Sequence, residues 1–231
     1  MSGEYRVISL DSRGHGCSDF PVSSSLGSGY RFVDYVSDIT TLIDNLGLEK
    51  PILVGHSAGG RYAFSYTSLN PQNVRALVVV DIDPDSVNQS SSGMFDRYMN
   101  ESDEWPSLDK VVERIRSRQR ASSETMLNHQ AEVMTKPVGN EGIRVWRRDR
   151  RVIEDYERPD LWKEWASIAV PTVIIRGRQS DLLTHQTAVQ MREKLSGSLL
   201  AELEGGGHWF YQESPGAFES TVRWFLSTLR N

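Results

Sequence analysis

Leu53-Val54-Gly55-His56-Ser57-Ala58-Gly59-Gly60 decides how the rest of the chain is read. The aliphatic run Pro51–Val54 has the character of a short strand, and an amphipathic helical pattern runs from Gly60 to about Leu69. Ser57 therefore lies on a turn between a strand and a helix. A turn sharp enough to lift a serine hydroxyl above a sheet edge crowds the positions two before and two after it. Gly55 and Gly59 occupy those positions, and glycine tolerates close approach. In this setting Ser57 is a candidate nucleophile, and the backbone N–H of Ala58 is a candidate donor to an oxyanion.

A serine nucleophile needs a base. Gly205-Gly206-Gly207-His208 follows the short strand Leu199–Leu203 and precedes the last helix, so three glycines can bring an imidazole close to Ser57. His208 is the candidate base. The third member should be a carboxylate that fixes the imidazole tautomer. Asp181, in Gly177-Arg178-Gln179-Ser180-Asp181, lies just past the strand Pro171–Arg176 and is the expected acid; Asp83 and Asp85, after the strand Arg75–Val80, are its rivals. Trp209, beside the base, and Trp146 are candidates to line a substrate pocket, and His56 is expected to pack under the turn.

Outward from these motifs, short aliphatic strands alternate with amphipathic helices. Tyr5–Leu10 reads as a strand ending in the turn Asp11–Ser18, and Ser23–Gly29 reads as loop. Val33, Val36, Ile39, Ile43 and Leu46 lie three or four apart, with Gly47 as a helix stop. Thr184 can cap a helix to Leu195, and Ser214-Pro215 can open a last helix carrying Phe218, Val222, Phe225 and Leu229. The fold class expected is α/β, a mostly parallel sheet flanked by helices. Between Ser86 and Arg158 the texture changes. No strong β run is visible there, Ser107 and Ser123 can each open a helix, and the basic run Arg144–Arg151 could receive an anion or be a solvated face. The expected organisation is a core of residues 1–85 and 159–231 with a helical cap of residues 86–158.

Composition excludes other classes. The 231 residues are 38% hydrophobic and 25% charged, with a net charge of -5. That is ordinary for a globular chain and is neither disordered nor a disulfide scaffold. The acidic balance argues against a nucleic-acid partner, and the longest aliphatic stretch, Ala76–Val80, is far short of the roughly 20 residues of a membrane span. A small molecule is the partner expected, and oligomeric state is not legible. One cysteine, Cys17, fits a reducing compartment, so a cytoplasmic location is expected. The five histidines show no metal-ligand spacing and no phosphate-binding glycine loop is present, so neither metal nor cofactor is expected.

Four blocks carry a resemblance: Arg6–Ser18, Leu53–Gly60, Gly177–Asp181 and Gly205–Trp209. Together they resemble the α/β-hydrolase superfamily, in the branch of small esterases, enol-lactonases, C–C bond hydrolases and cofactor-free haloperoxidases. The order Ser57, Asp181, His208 matches that fold. A serine at position 57 sets the chain apart from relatives with an aspartate nucleophile. The resemblance makes Tyr5–Leu10 the fourth strand of the family sheet. It implies that three strands, and a His-Gly loop supplying a second oxyanion donor, are missing here. Hydrolysis of a small ester, lactone or related carbonyl compound is the activity implied. A truncated, catalytically silent relative and an acyltransferase using the same residues are the competing expectations.

Overall fold

The computed structural model describes residues 3–22 and 27–229; of the expected loop Ser23–Gly29, residues 23–26 lie outside them. In chain order the elements are α1 (Phe32–Asn45), β1 (Ile52–His56), α2 (Ala58–Leu69), β2 (Ala76–Val80), α3 (Gln89–Met99), β3 (Glu104–Trp105), α4 (Leu108–Arg116), α5 (Glu124–Met134), β4 (Thr135–Val138), β5 (Ile143–Trp146), α6 (Arg151–Glu154), α7 (Trp162–Ala166), β6 (Thr172–Gly177), α8 (His185–Lys194), β7 (Leu199–Leu203), α9 (Phe210–Glu213) and α10 (Pro215–Thr228). They form two compact units. One holds Phe32–Ser92 and the residues from Glu157 on; the other holds the residues up to Arg31 and Gly93–Tyr156. No helix among the described residues is long and apolar enough to cross a membrane.

The first unit is built on a parallel sheet ordered β1-β2-β6-β7. Each strand is added on the same side as the chain advances, so the loops at the carboxyl ends line up in chain order. Every residue of β2 and β6 is buried, as expected for inner strands covered on both faces. The outer strands β1 and β7 are only partly buried. Helix stops and caps follow their local chemistry. Gly47 adopts φ 56° just past α1, and Leu48 N–H reaches back to the Ile43 carbonyl at 3.0 Å. Thr184 accepts from Thr187 N–H at the start of α8. Of the apolar face expected for α1, Ile43 is buried, while Val33 and Leu46 are exposed and Phe32 and Tyr35 are buried instead.

Tyr5–Leu10 is not a strand. The segment has no ladder partner among the described residues, and Val7, Ile8 and Leu10 are exposed. An apolar, β-branched run becomes a strand only beside a partner that takes its backbone hydrogen bonds. The following turn joins the second unit instead: Gly16 N–H donates to the Arg147 carbonyl at 2.7 Å, and Asp149 N–H donates to the Gly14 carbonyl at 2.7 Å. The residues before Arg31 thus group with the insertion rather than with residues 32–85, and the boundaries fall at 92/93 and 156/157 rather than at 85/86 and 158/159.

The insertion is also not purely helical. An antiparallel sheet ordered β3-β5-β4 packs with α4 and α5 around Val111, Val112, Ile115, Leu127, Ala131 and Trp146. Ser107 and Ser123 cap α4 and α5 as expected, accepting from Lys110 and Met126 N–H.

Candidate active site

Ser57 is the only residue between β1 and α2. It is held at φ 54° and ψ -130°, outside the basins an L-residue ordinarily occupies. Its N–H is anchored to the Val80 carbonyl at 3.0 Å, and its carbonyl accepts from Gly60 N–H at 2.8 Å. The crowding is real but differs in one position from that expected. A Cβ on Gly55 would stand 2.4 Å from the Gly59 carbonyl oxygen, and one on Gly60 would stand 2.7 Å from Ile82 Cγ2. A Cβ on Gly59 would meet nothing within 4 Å. The close approach is between the backbones of residues 55 and 60, so Gly59 is not sterically required. Ala58 opens α2, where first-turn N–H groups have no intrahelical acceptor.

His208 follows β7, three strands away from Ser57, and the glycine loop carries it back across the sheet. Gly206 carbonyl accepts from Gln179 N–H at 3.2 Å. Gly177 lies so close beneath the loop that a Cβ there would stand 2.5 Å from the carbonyl oxygens of both Gly206 and Gly207. His208 then lies above the ends of β1 and β2. Its carbonyl accepts from His56 Nε2–H at 2.9 Å, and its Nδ1–H donates to Asp81 Oδ2 at 2.8 Å. His56 is the residue before Ser57, so the base candidate and the nucleophile candidate belong to one cluster.

The carboxylate on His208 is Asp81, not Asp181. Asp81 is the first residue past β2, fully buried, with φ 51°. It accepts three hydrogen bonds: His208 Nδ1–H and the Ser180 hydroxyl on Oδ2, and Gly177 N–H on Oδ1 at 3.2 Å. Asp181 is exposed. The loop after β6 is held by Arg176, which donates to the Ser180 and Leu183 carbonyls. Ser180 turns inward to Asp81, and Leu182 and Leu183 are buried beyond it, so residue 181 between them turns out to solvent. The rivals Asp83 and Asp85 are engaged elsewhere. Asp83 is buried against Arg158 (2.6 Å) and Asn88, and Asp85 accepts from the Trp162 indole. Asp81 was missed although it directly follows a fully apolar strand, the position from which a carboxylate can face the sheet edge.

Aromatic groups close around the histidines. The His56 ring lies 4.4 Å from that of His208, 5.2 Å from that of Trp209 and 4.6 Å from that of Tyr211. Burial, with the charge on His208 second, holds His56 well below the ordinary histidine range, so it stays neutral. Burial alone pushes the Tyr211 hydroxyl up. Trp209 lies 5.2 Å from the His208 ring. Trp146 lies in the other unit, 7% exposed within its core cluster, so its ring is a packing element rather than an open wall.

The model of the alpha/beta hydrolase fold family matches residues 2–215. Among curated proteins, the 2-(acetamidomethylene)succinate hydrolase of Mesorhizobium japonicum is 27% identical over 218 residues, covering 93% of this chain and 76% of that protein. The 3-hydroxybutyrate-oligomer hydrolase of Cupriavidus necator is 28% identical over 211 residues, covering 83% of this chain and 69% of that protein. Among solved structures, E-2-(acetamidomethylene)succinate hydrolase superposes with a TM-score of 0.81 at 24% identity, over 94% of this chain and 79% of that one, a likeness of fold. The strand–Ser57–helix turn, the parallel sheet and these matches lead to one conclusion: the chain belongs to the α/β-hydrolase fold family and is an enzyme of that family.

Proposed function

We propose that the protein is a serine hydrolase acting on a small ester, lactone or related carbonyl compound. The observation that carries this is the hydrogen bond from His208 Nδ1–H to buried Asp81, formed beside the residue that precedes Ser57. That bond assigns the proton to Nδ1 and leaves Nε2 with a free lone pair. Nε2 takes the Ser57 hydroxyl proton as Oγ attacks the substrate carbonyl. The oxygen gains the electron pair and is received by Ala58 N–H. Collapse of the tetrahedral adduct expels the leaving group, which takes the proton from His208. Water, deprotonated by the same imidazole, then releases the acyl group and regenerates Ser57. Asp81 stabilises the imidazolium in each half-reaction, and its other two hydrogen bonds keep it in register.

The test is turnover of p-nitrophenyl butyrate by the full chain and by Ser57→Ala. Turnover lost in the variant supports the proposal. Turnover unchanged in the variant overturns it, and no turnover by either favours a silent, binding role. Added alcohol appearing in the product would reassign the second half-reaction to acyl transfer.

A further inference from the structure

The second unit contains a group of nitrogen donors with no acceptor. Trp105 Nε1, Trp146 Nε1, Arg118 Nη1 and Arg148 Nε are all buried and without a hydrogen-bond partner among the described residues. They belong to one cluster. The guanidinium of Arg118 stacks 4.6 Å from the Tyr98 ring, with Arg114 at 5.4 Å and Arg148 at 5.7 Å from the same ring. Arg114 and Arg148 each lie 5.7 Å from the Trp146 ring, and Trp105 meets Trp146 edge-on at 5.8 Å. Trp146 is more than nine-tenths buried.

The charges here are unequal. Glu101 is bound by Arg114, and Asp103 by Arg148 (3.1 Å) and Arg150 (3.0 Å). Glu154 joins Arg150 at the rim. Of Arg114, Arg118, Arg148 and Arg150, Arg118 is the one with no carboxylate partner among the described residues, and exposed Arg97 adds a further positive charge that acts on it. Burial is the main cause that moves the Arg118 guanidinium below the usual arginine range, with the charge of Arg114 adding to it. Buried donors are ordinarily matched by acceptors, and buried cations by anions. The unmatched atoms of this cluster are donors, and Arg118 is its one guanidinium without a carboxylate.

We propose that this cluster is a carboxylate-binding subsite, with Arg118 receiving the carboxylate and Arg148 and the Trp146 indole N–H completing its hydrogen bonds. A monocarboxylate pairs with the Arg118 charge and supplies acceptor lone pairs to a donor-only wall. A planar guanidinium matches a carboxylate in two parallel bonds. A dianionic phosphate would bring a second negative charge beside Glu101 and Asp103. The ligand is a small carboxylic acid held within this unit.

The experiment measures succinate binding to the full chain by calorimetry, beside Arg118→Met and Arg118→Lys variants with wild-type circular dichroism. Saturable binding weakened about 10-fold or more by Arg118→Met and less by Arg118→Lys is expected, the loss of a charge-assisted bond. If Arg118→Met does not fold, Trp146→Phe, which removes the indole N–H together with part of the ring, should weaken binding several-fold in a variant that keeps wild-type circular dichroism. Absence of saturable binding, or equal affinity in the variants, overturns the proposal.

Discussion

Replacing Asp81 by asparagine tests the site at its least expected point. All three groups bonded to the Asp81 carboxylate are donors: His208 Nδ1–H at 2.8 Å and the Ser180 hydroxyl on Oδ2, and Gly177 N–H at 3.2 Å on Oδ1. An amide offers only one acceptor oxygen, so its NH2 must face one side. Facing Gly177 it opposes a backbone N–H that cannot change role. Facing the other side it meets an imidazole that can shift its proton and the Ser180 hydroxyl, whose oxygen already accepts from Leu182 and Leu183 N–H. The second arrangement strands the Ser180 proton but avoids opposing a fixed backbone donor, and it converts His208 to the tautomer with hydrogen on Nε2. That nitrogen can no longer accept the Ser57 proton. Acid-to-amide exchange in a serine triad costs about 10⁴ in kcat, or about 5 kcal/mol of barrier. Stability should fall by about 1–3 kcal/mol, because the buried Ser180 hydroxyl loses its acceptor, while asparagine itself tolerates the φ of 51° at this position. Asp181→Asn, at an exposed position, should leave the rate within about twofold. The assay is initial-rate hydrolysis of p-nitrophenyl butyrate, with a thermal melt of each variant. An Asp81→Asn enzyme within tenfold of wild type, or a large loss in Asp181→Asn, would refute the reasoning.

The remaining predictions concern the parts that hold this pair in place. Gly177→Ala places a Cβ 2.5 Å from two carbonyl oxygens of the His208 loop, so it should lower kcat and cost about 1–3 kcal/mol, read by urea unfolding. Gly55→Ala, 2.4 Å from the Gly59 carbonyl, should be at least as damaging, whereas Gly59→Ala meets open space inside a helix and should stabilise by up to about 1 kcal/mol. His56 is depressed in the folded state, so below its ordinary value of 6.5 the unfolded chain binds the extra proton and stability falls with falling pH. The slope should be up to about 1.4 kcal/mol per pH unit, and His56→Gln, which keeps an N–H for the His208 carbonyl, should flatten it in pH-dependent melts. Arg158→Met strands buried Asp83, whose carboxyl burial already pushes up, and should destabilise by about 3–5 kcal/mol in urea; an unchanged midpoint would remove the ion pair from the account.

Periodicity made most of the fold legible, and its failures have physical causes. Leu199–Leu203 and the caps at Ser107, Ser123 and Thr184 are local signals, satisfied by local hydrogen bonds, and they hold. Tyr5–Leu10 has the composition of a strand, but a ladder needs a neighbour, which composition cannot supply. In the insertion, β4 and β5 carry Lys136, Pro137 and Arg144 and so lack an apolar run. Their signal lay in the turn instead. Gly139 and Gly142 both adopt positive φ and bracket the hairpin that joins them, a spacing readable as a β-turn between short strands.

The carboxylate on His208 was harder to read than the candidate nucleophile or base, for a reason built into a parallel sheet. Ser57 sits in a strand-to-helix turn with close glycine contacts, and His208 needs a glycine loop long enough to recross the sheet; each requirement leaves a mark in sequence. The acid needs only to end near Nδ1. β2 and β6 are neighbours, with Val80 beside Ile175, so their carboxyl ends lie about one strand spacing apart, roughly 4.8 Å. A carboxylate rooted on either can reach the same imidazole. Which one does is decided by the side on which a single loop residue faces. After β6, burial of Leu182 and Leu183 and the grip of Arg176 turn Ser180 inward and Asp181 outward. The inward position there carries a hydroxyl, and that hydroxyl bonds the carboxylate arriving from β2. The two loops therefore contribute to one polar centre, acid from one and donor from the other. The motif order Ser, Asp, His is satisfied equally by Asp81 and by Asp181, so order alone could not separate them; the direction of one side chain does.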